Sequence, residues 1–100
     1  MFSGGSYREV ERWLRNFLTS HAKRVNPRTE VALEAGAGRA GQSYGARLKL
    51  GARVSAVIEF EFSDVAANRE NLAWCAALAE RTKRLAGELV AQGAADARTR

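Results

Sequence analysis

A chain of 100 residues holds one domain with one core, and 46% hydrophobic with 27% charged residues exclude wholesale disorder. No apolar run approaches the ~20 residues that span a bilayer, the start MFSGGSYREV lacks a signal-peptide layout, and a lone Cys75 excludes an internal disulfide, so a cytoplasmic setting without membrane contact is expected. Three Lys and thirteen Arg against eleven Asp and Glu give a net charge of +5 and a pI near 10.1, which permits a polyanionic partner and equally matches the Ala-, Gly- and Arg-rich usage of a bacterial-type composition.

Residues 1–5 show no periodicity and are expected to be loose. Ser6 and Glu9 are spaced as a capping box. Val10, Trp13, Leu14, Phe17, Leu18 and His21 then recur at helical spacing, Lys23 and Arg24 suit the negative end of the helix dipole, and Pro27 disfavours continuation. Val31, Leu33 and Ala35 alternate with Glu30, Ala32 and Glu34 as a first strand. A glycine-rich loop, Gly36 to Gln42, leads to a second strand over Ser43–Leu50, with Tyr44, Ala46, Leu48 and Leu50 on one face.

Leu48 to Phe62, the most strongly alternating stretch, carries the third strand, with Val54, Ala56, Ile58, Phe60 and Phe62 assigned to the core face. Parity requires either a three-residue connection over Gly51, Ala52 and Arg53, or a two-residue turn with a bulge, because a plain two-residue turn sets Leu48 opposite Ser55. A last helix is expected from Ser63 or Asp64, with Asn68 as the alternative start, to Gly93. The expected fold is α+β in the order α-β-β-β-α, a three-stranded antiparallel meander with two helices packed on one face, comprising a single domain over 6–92 and a loose tail over 93–100.

No chemistry-bearing constellation stands out, and no catalytic residue, metal site, cofactor or small molecule is expected. Gly36, Gly38 and Gly41 form G-x-G-x-x-G after a strand, but a strand follows where a dinucleotide fingerprint opens a helix. Cys75 and His21 make a nucleophilic pair only if the end of the first helix meets the last helix at Cys75. On the outward sheet face, Glu30, Glu34, Glu59 and Glu61 outnumber Arg47 and Lys49, a cross-strand pattern that neutralises both cations and disfavours a nucleic-acid platform there.

The element order is similar to that of double-stranded RNA-binding domains. That family opens its second helix with a phosphate-gripping lysine cluster, whereas Ser63 to Asn68 here carries no cation and one carboxylate, so no site residue transfers. The leading expectation is a non-enzymatic interaction module that self-associates, as a dimer, through Trp74, Leu85 and Leu89 on a last helix that outruns the sheet, with the third strand offering a free edge. The alternative is nucleic-acid (RNA) binding through Arg8, Arg12, Arg15, Lys23, Arg24 and Arg28 on the first helix and the loop after it.

Overall fold

The computed structural model describes residues 5–98, with side chains through Gly93. Its elements are α1 (Tyr7–Val25), β1 (Glu30–Glu34), a 3-10 turn (Ala37–Arg39), β2 (Ser43–Leu50), β3 (Arg53–Val54), β4 (Ile58–Glu61), α2 (Phe62–Asn68) and α3 (Leu72–Arg98). The α+β class is as expected. Two details differ: the third strand is broken in two, and the last helical stretch is two helices.

β2 is the central strand, pairing antiparallel with β1 on one side and with β3 and β4 on the other. Lys49 pairs with Val54 and Ala46 with Ile58, so β2 advances three residues while its partner advances four. The extra residue is a β-bulge. Ser55 sits at its start: the Leu48 N–H donates to Ser55 Oγ at 2.9 Å and the Ser55 N–H donates to Leu48 O at 2.9 Å. The connection is the two-residue turn Gly51–Ala52, in which Gly51 takes φ +64° and Ala52 does not enter positive φ, as a type II′ hairpin requires. Turn and bulge together answer the parity problem. They also correct the expected facing, because Val54 lies on the outer face, 44% exposed, and Ala56 is exposed, while Ile58 and Phe60 are buried and Phe62 opens α2 in place of ending the strand. Arg53 turns to the helix side instead, and its Nε donates to Leu89 O at 3.0 Å.

The helical break follows from two asparagines. The Asn68 amide donates to Asp64 O at 2.8 Å and so finishes α2 on its own last turn. Asn71 Oδ1 accepts from the Trp74 N–H at 3.0 Å, the bond of an N-cap, and starts α3 three residues beyond the expected alternative at Asn68. Gly93 does not stop this helix, whose backbone continues to Arg98. A Cβ at Gly93 would lie 2.5 Å from Arg53 Nη2, so the missing side chain makes room for a guanidinium. Of the termini expected to be loose, residues 1–4, 99 and 100 lie outside the described residues.

The helices cover one face of the sheet. α1 and α3 run side by side, Trp13 facing Trp74 near one end and Ala22 joining Ala86, Leu89, Leu48 and Leu50 near the other. The larger cluster gathers Val10, Leu14, Leu18, Tyr44, Ile58, Phe60, Val65 and Leu78, each large apolar side chain contributing about 1.5–3 kcal/mol against chain entropy. Its rim is tied by two tyrosines. Tyr7 and Tyr44 stack at 4.6 Å, the Tyr44 hydroxyl donates to Tyr7 O at 2.7 Å, and the Tyr7 hydroxyl donates to Ser43 O and accepts from the Gly36 N–H.

Candidate functional site

α1 is built to present one face. Ser6 Oγ accepts from the Glu9 N–H at 3.2 Å, and Val10, Leu14, Leu18 and Ala22 are buried. Flanking the buried stripe, and centred about 120° from it at about 100° per residue, Arg8, Arg12, Arg15 and Lys23 share a strip roughly 80° wide and ~22 Å long. All four are exposed. Arg15 binds Glu11 at 3.2 Å, and Lys23 Nζ donates to Pro27 O at 2.9 Å. Arg8 and Arg12 flank a shallow cleft with Glu11 and Arg15 and have no carboxylate partner among the described residues. Arg24 turns away from this strip toward His21 and Lys83, and Arg28 is exposed in the turn beyond the helix.

Between α1 and α3 lies an aromatic seam. Trp13 stacks on Phe17 at 5.0 Å and faces Trp74 at 6.3 Å, while Phe17 meets His21 at 4.5 Å. The four side chains are half-buried. Burial, Arg24 and Lys83 all push the His21 pKa below its ordinary value, so the imidazole is neutral at neutral pH.

The outer sheet face is organised by Arg39, which sequence reasoning left as one residue of a flexible loop. The 3-10 turn folds its guanidinium over Gly45, where a Cβ would sit 2.2 Å from Nη2. Nη1 and Nη2 donate to the two oxygens of Glu59 at 2.7 and 3.2 Å, Nη1 also donates to Ser43 Oγ at 3.1 Å, and Nε stands 3.7 Å from Glu34. The hydrogen bonds from Arg39 hold the Glu59 carboxyl below the usual range. Glu34 and Glu59 both pair with Gly45 across the ladder, so one cation bridges the two outer strands above the central one. The expected neutralisation of Arg47 and Lys49 is therefore corrected: Lys49 stands opposite Glu30 and Arg47 opposite Ala32, and neither makes an ion pair among the described residues. An interior strand glycine was the available signal, since it marks a close approach.

The same loop engages most of its own amides. The N–H groups of Gly36, Arg39, Ala40, Gly41 and Gln42 all donate within the chain and are not free to hold a phosphate. Cys75 Sγ lies 3.4 Å from Arg69 O and 3.9 Å from Asn68 O, at the end of α2, and burial raises its pKa. His21 lies beside Lys83, eight residues or about 12 Å further along α3, so the two do not meet. Among the described residues no three His, Cys, Asp or Glu side chains converge as metal ligands, and no helix is long and apolar enough to cross a membrane.

The residues expected to mediate self-association separate. Leu89 is 1% exposed in the chain's own core, and Leu85 is half-buried against both core clusters. Trp74 remains at the surface of the seam, two residues from Leu72, which is 86% exposed. Comparison with protein-family models, curated proteins and solved structures found no match to this chain.

Proposed function

We propose that this chain is a non-enzymatic binding module that holds a nucleic acid along the cationic face of α1. The observation that carries the reading is the exposed set Arg8, Arg12 and Lys23 on one strip of α1, with Arg28 in the turn beyond it, none of which has a carboxylate partner among the described residues. The sheet's outer face carries four carboxylates and three cations, so the positive excess of the chain lies outside that face. Four phosphate contacts by these cations predict a slope of log affinity against log salt of about −2.8 for a single strand. Fluorescence anisotropy with a labelled RNA oligonucleotide across a salt series tests this. Joint replacement Arg8→Glu and Arg12→Glu should weaken binding and flatten the slope by about 1.4; binding indifferent to salt and to both substitutions refutes the reading.

A second reading is self-association through the start of α3, favoured by Leu72 at 86% exposure beside the half-buried Trp74. It predicts a dimer by light scattering that Leu72→Lys returns to monomer. A monomer across the working concentration range removes it.

A further inference from the structure

The free side of β4 has the geometry of a strand-accepting edge. The Phe62 N–H donates to Gln42 O at 2.8 Å, which fixes the phase of the ladder. By the alternation of antiparallel pairing, Phe60 and Ile58 direct their backbone groups to β2, and Glu59 and Glu61 direct theirs outward. Among the described residues β4 pairs with β2 alone. Beside this edge runs a cleft floored by Phe60, Trp74 and Leu78, with Ala77 on its helical wall and with Glu59, Asp64 and Arg81 contributed by β4, α2 and α3.

Open edges are ordinarily guarded by charge. Here Arg39 draws the Glu59 carboxylate inward over Gly45 and away from the edge, which leaves the Glu59 backbone accessible. What remains selects among occupants. β1, the other edge, shows Glu30 and Glu34 on the same outer face that carries Glu59 and Glu61. Pairing β4 with β4 or β1 of a second copy brings carboxylates opposite carboxylates, which is destabilising. A segment with cations at those positions meets the opposite condition.

We propose that the β4 edge takes up an extended segment of a partner protein in which cationic and apolar residues alternate. Its backbone bonds to the outward N–H and C=O of Glu59 and to the N–H of Glu61, whose own C=O caps α2; its cation faces the Glu61 carboxylate, which has no ion-pair partner among the described residues, and its apolar side chains enter the cleft over Phe60, Trp74 and Leu78. The site is separate from the cationic face of α1 and stands whether or not nucleic acid binds there.

A synthetic peptide alternating lysine and leucine is the probe, with a glutamate–leucine counterpart as control, and amide hydrogen exchange by NMR is the readout. The Glu59 and Glu61 amides should exchange freely in dilute protein and slow by about tenfold or more with the lysine peptide alone. Glu61→Pro removes one outward N–H from an extended residue at φ −93°, ψ 139°, which needs only a modest turn of φ to accept proline, and it should abolish protection at Glu59, whereas Glu61→Gln keeps the N–H and should retain part of the protection while narrowing the difference between the two peptides. Ala77→Gln, an exposed helical position, fills the cleft without touching β4 and should weaken the peptide as well, so the outcome does not depend on the proline variant folding. Protection of these amides in the free protein, equal effects of the two peptides, no slowing with either, or a dimer lost in Glu61→Pro would overturn the proposal.

Discussion

Gly93→Ala should change the sign of its effect with the residue at position 53. In an ordinary helix interior the substitution stabilises by about 1 kcal/mol, because glycine is the poorer helix former. Here the new Cβ would stand 2.5 to 2.9 Å from Arg53 Nη2, Cζ and Nη1, closer than any of these contacts allows. The guanidinium must leave, and with it the Nε bond to Leu89 O at 3.0 Å. A hydrogen bond from a charged donor contributes about 1.5–3 kcal/mol, and the half-buried setting of Arg53 favours the lower end. The expected net change is a loss of about 0.5 kcal/mol, or roughly 2–4 °C in Tm for a chain of this size. In an Arg53→Ala background the same substitution should stabilise by about 1 kcal/mol, giving a coupling of about 1.5 kcal/mol in a double-mutant cycle. Urea unfolding of the four proteins measures it. Equal stabilisation by Gly93→Ala in both backgrounds would refute the view that glycine is there to admit the arginine.

Tyr44→Phe removes the donor to Tyr7 O at 2.7 Å and should cost about 1 kcal/mol in chemical unfolding. Burial raises the Tyr44 pKa above its ordinary 10.0, so the folded state favours the protonated phenol and its contribution is lost as pH rises past that value; the variant should unfold less steeply under alkali. His21 behaves oppositely. Its lowered pKa, caused by burial and by the cations of Arg24 and Lys83, makes the folded state favour neutral imidazole, so stability present above pH 6.5 declines as pH falls below it. His21→Phe should flatten that decline in urea midpoints taken from pH about 7.5 down to about 5.5.

What could be read along the chain was whatever one element decides for itself. α1 followed from its cap and its 3.6-residue stripe, and β2 from strict alternation between Ser43 and Leu50. The parity of the hairpin admitted a three-residue connection or a two-residue turn with a bulge, and the structure takes the second. Parity could not locate the bulge, because that depends on the Ser55 hydroxyl finding the Leu48 N–H across the ladder, a contact between strands. Val54 was consequently assigned to the wrong face. The break between α2 and α3 was hidden for a related reason: Ser63, Asp64 and Asn68 were the caps expected from sequence, whereas α2 opens at Phe62 after Glu61 and α3 is capped by Asn71. Among site residues, the α1 cations were legible as a helical face, and the structure separates Arg24 from that strip. Arg39 was not legible, since a cation in a glycine-rich loop has no period. Only the bare Gly45 beneath it, in the middle of a buried strand, carried a trace of what lies above.

The Arg39–Gly45 arrangement has a consequence for how the sequence can drift. The two positions are coupled: a side chain at 45 displaces the guanidinium, and loss of the guanidinium leaves Glu34 and Glu59 without their shared cation and Gly45 without the group that covers it. The two residues therefore form one heritable unit, and a relative carrying alanine or larger at position 45 should also have given up arginine at 39.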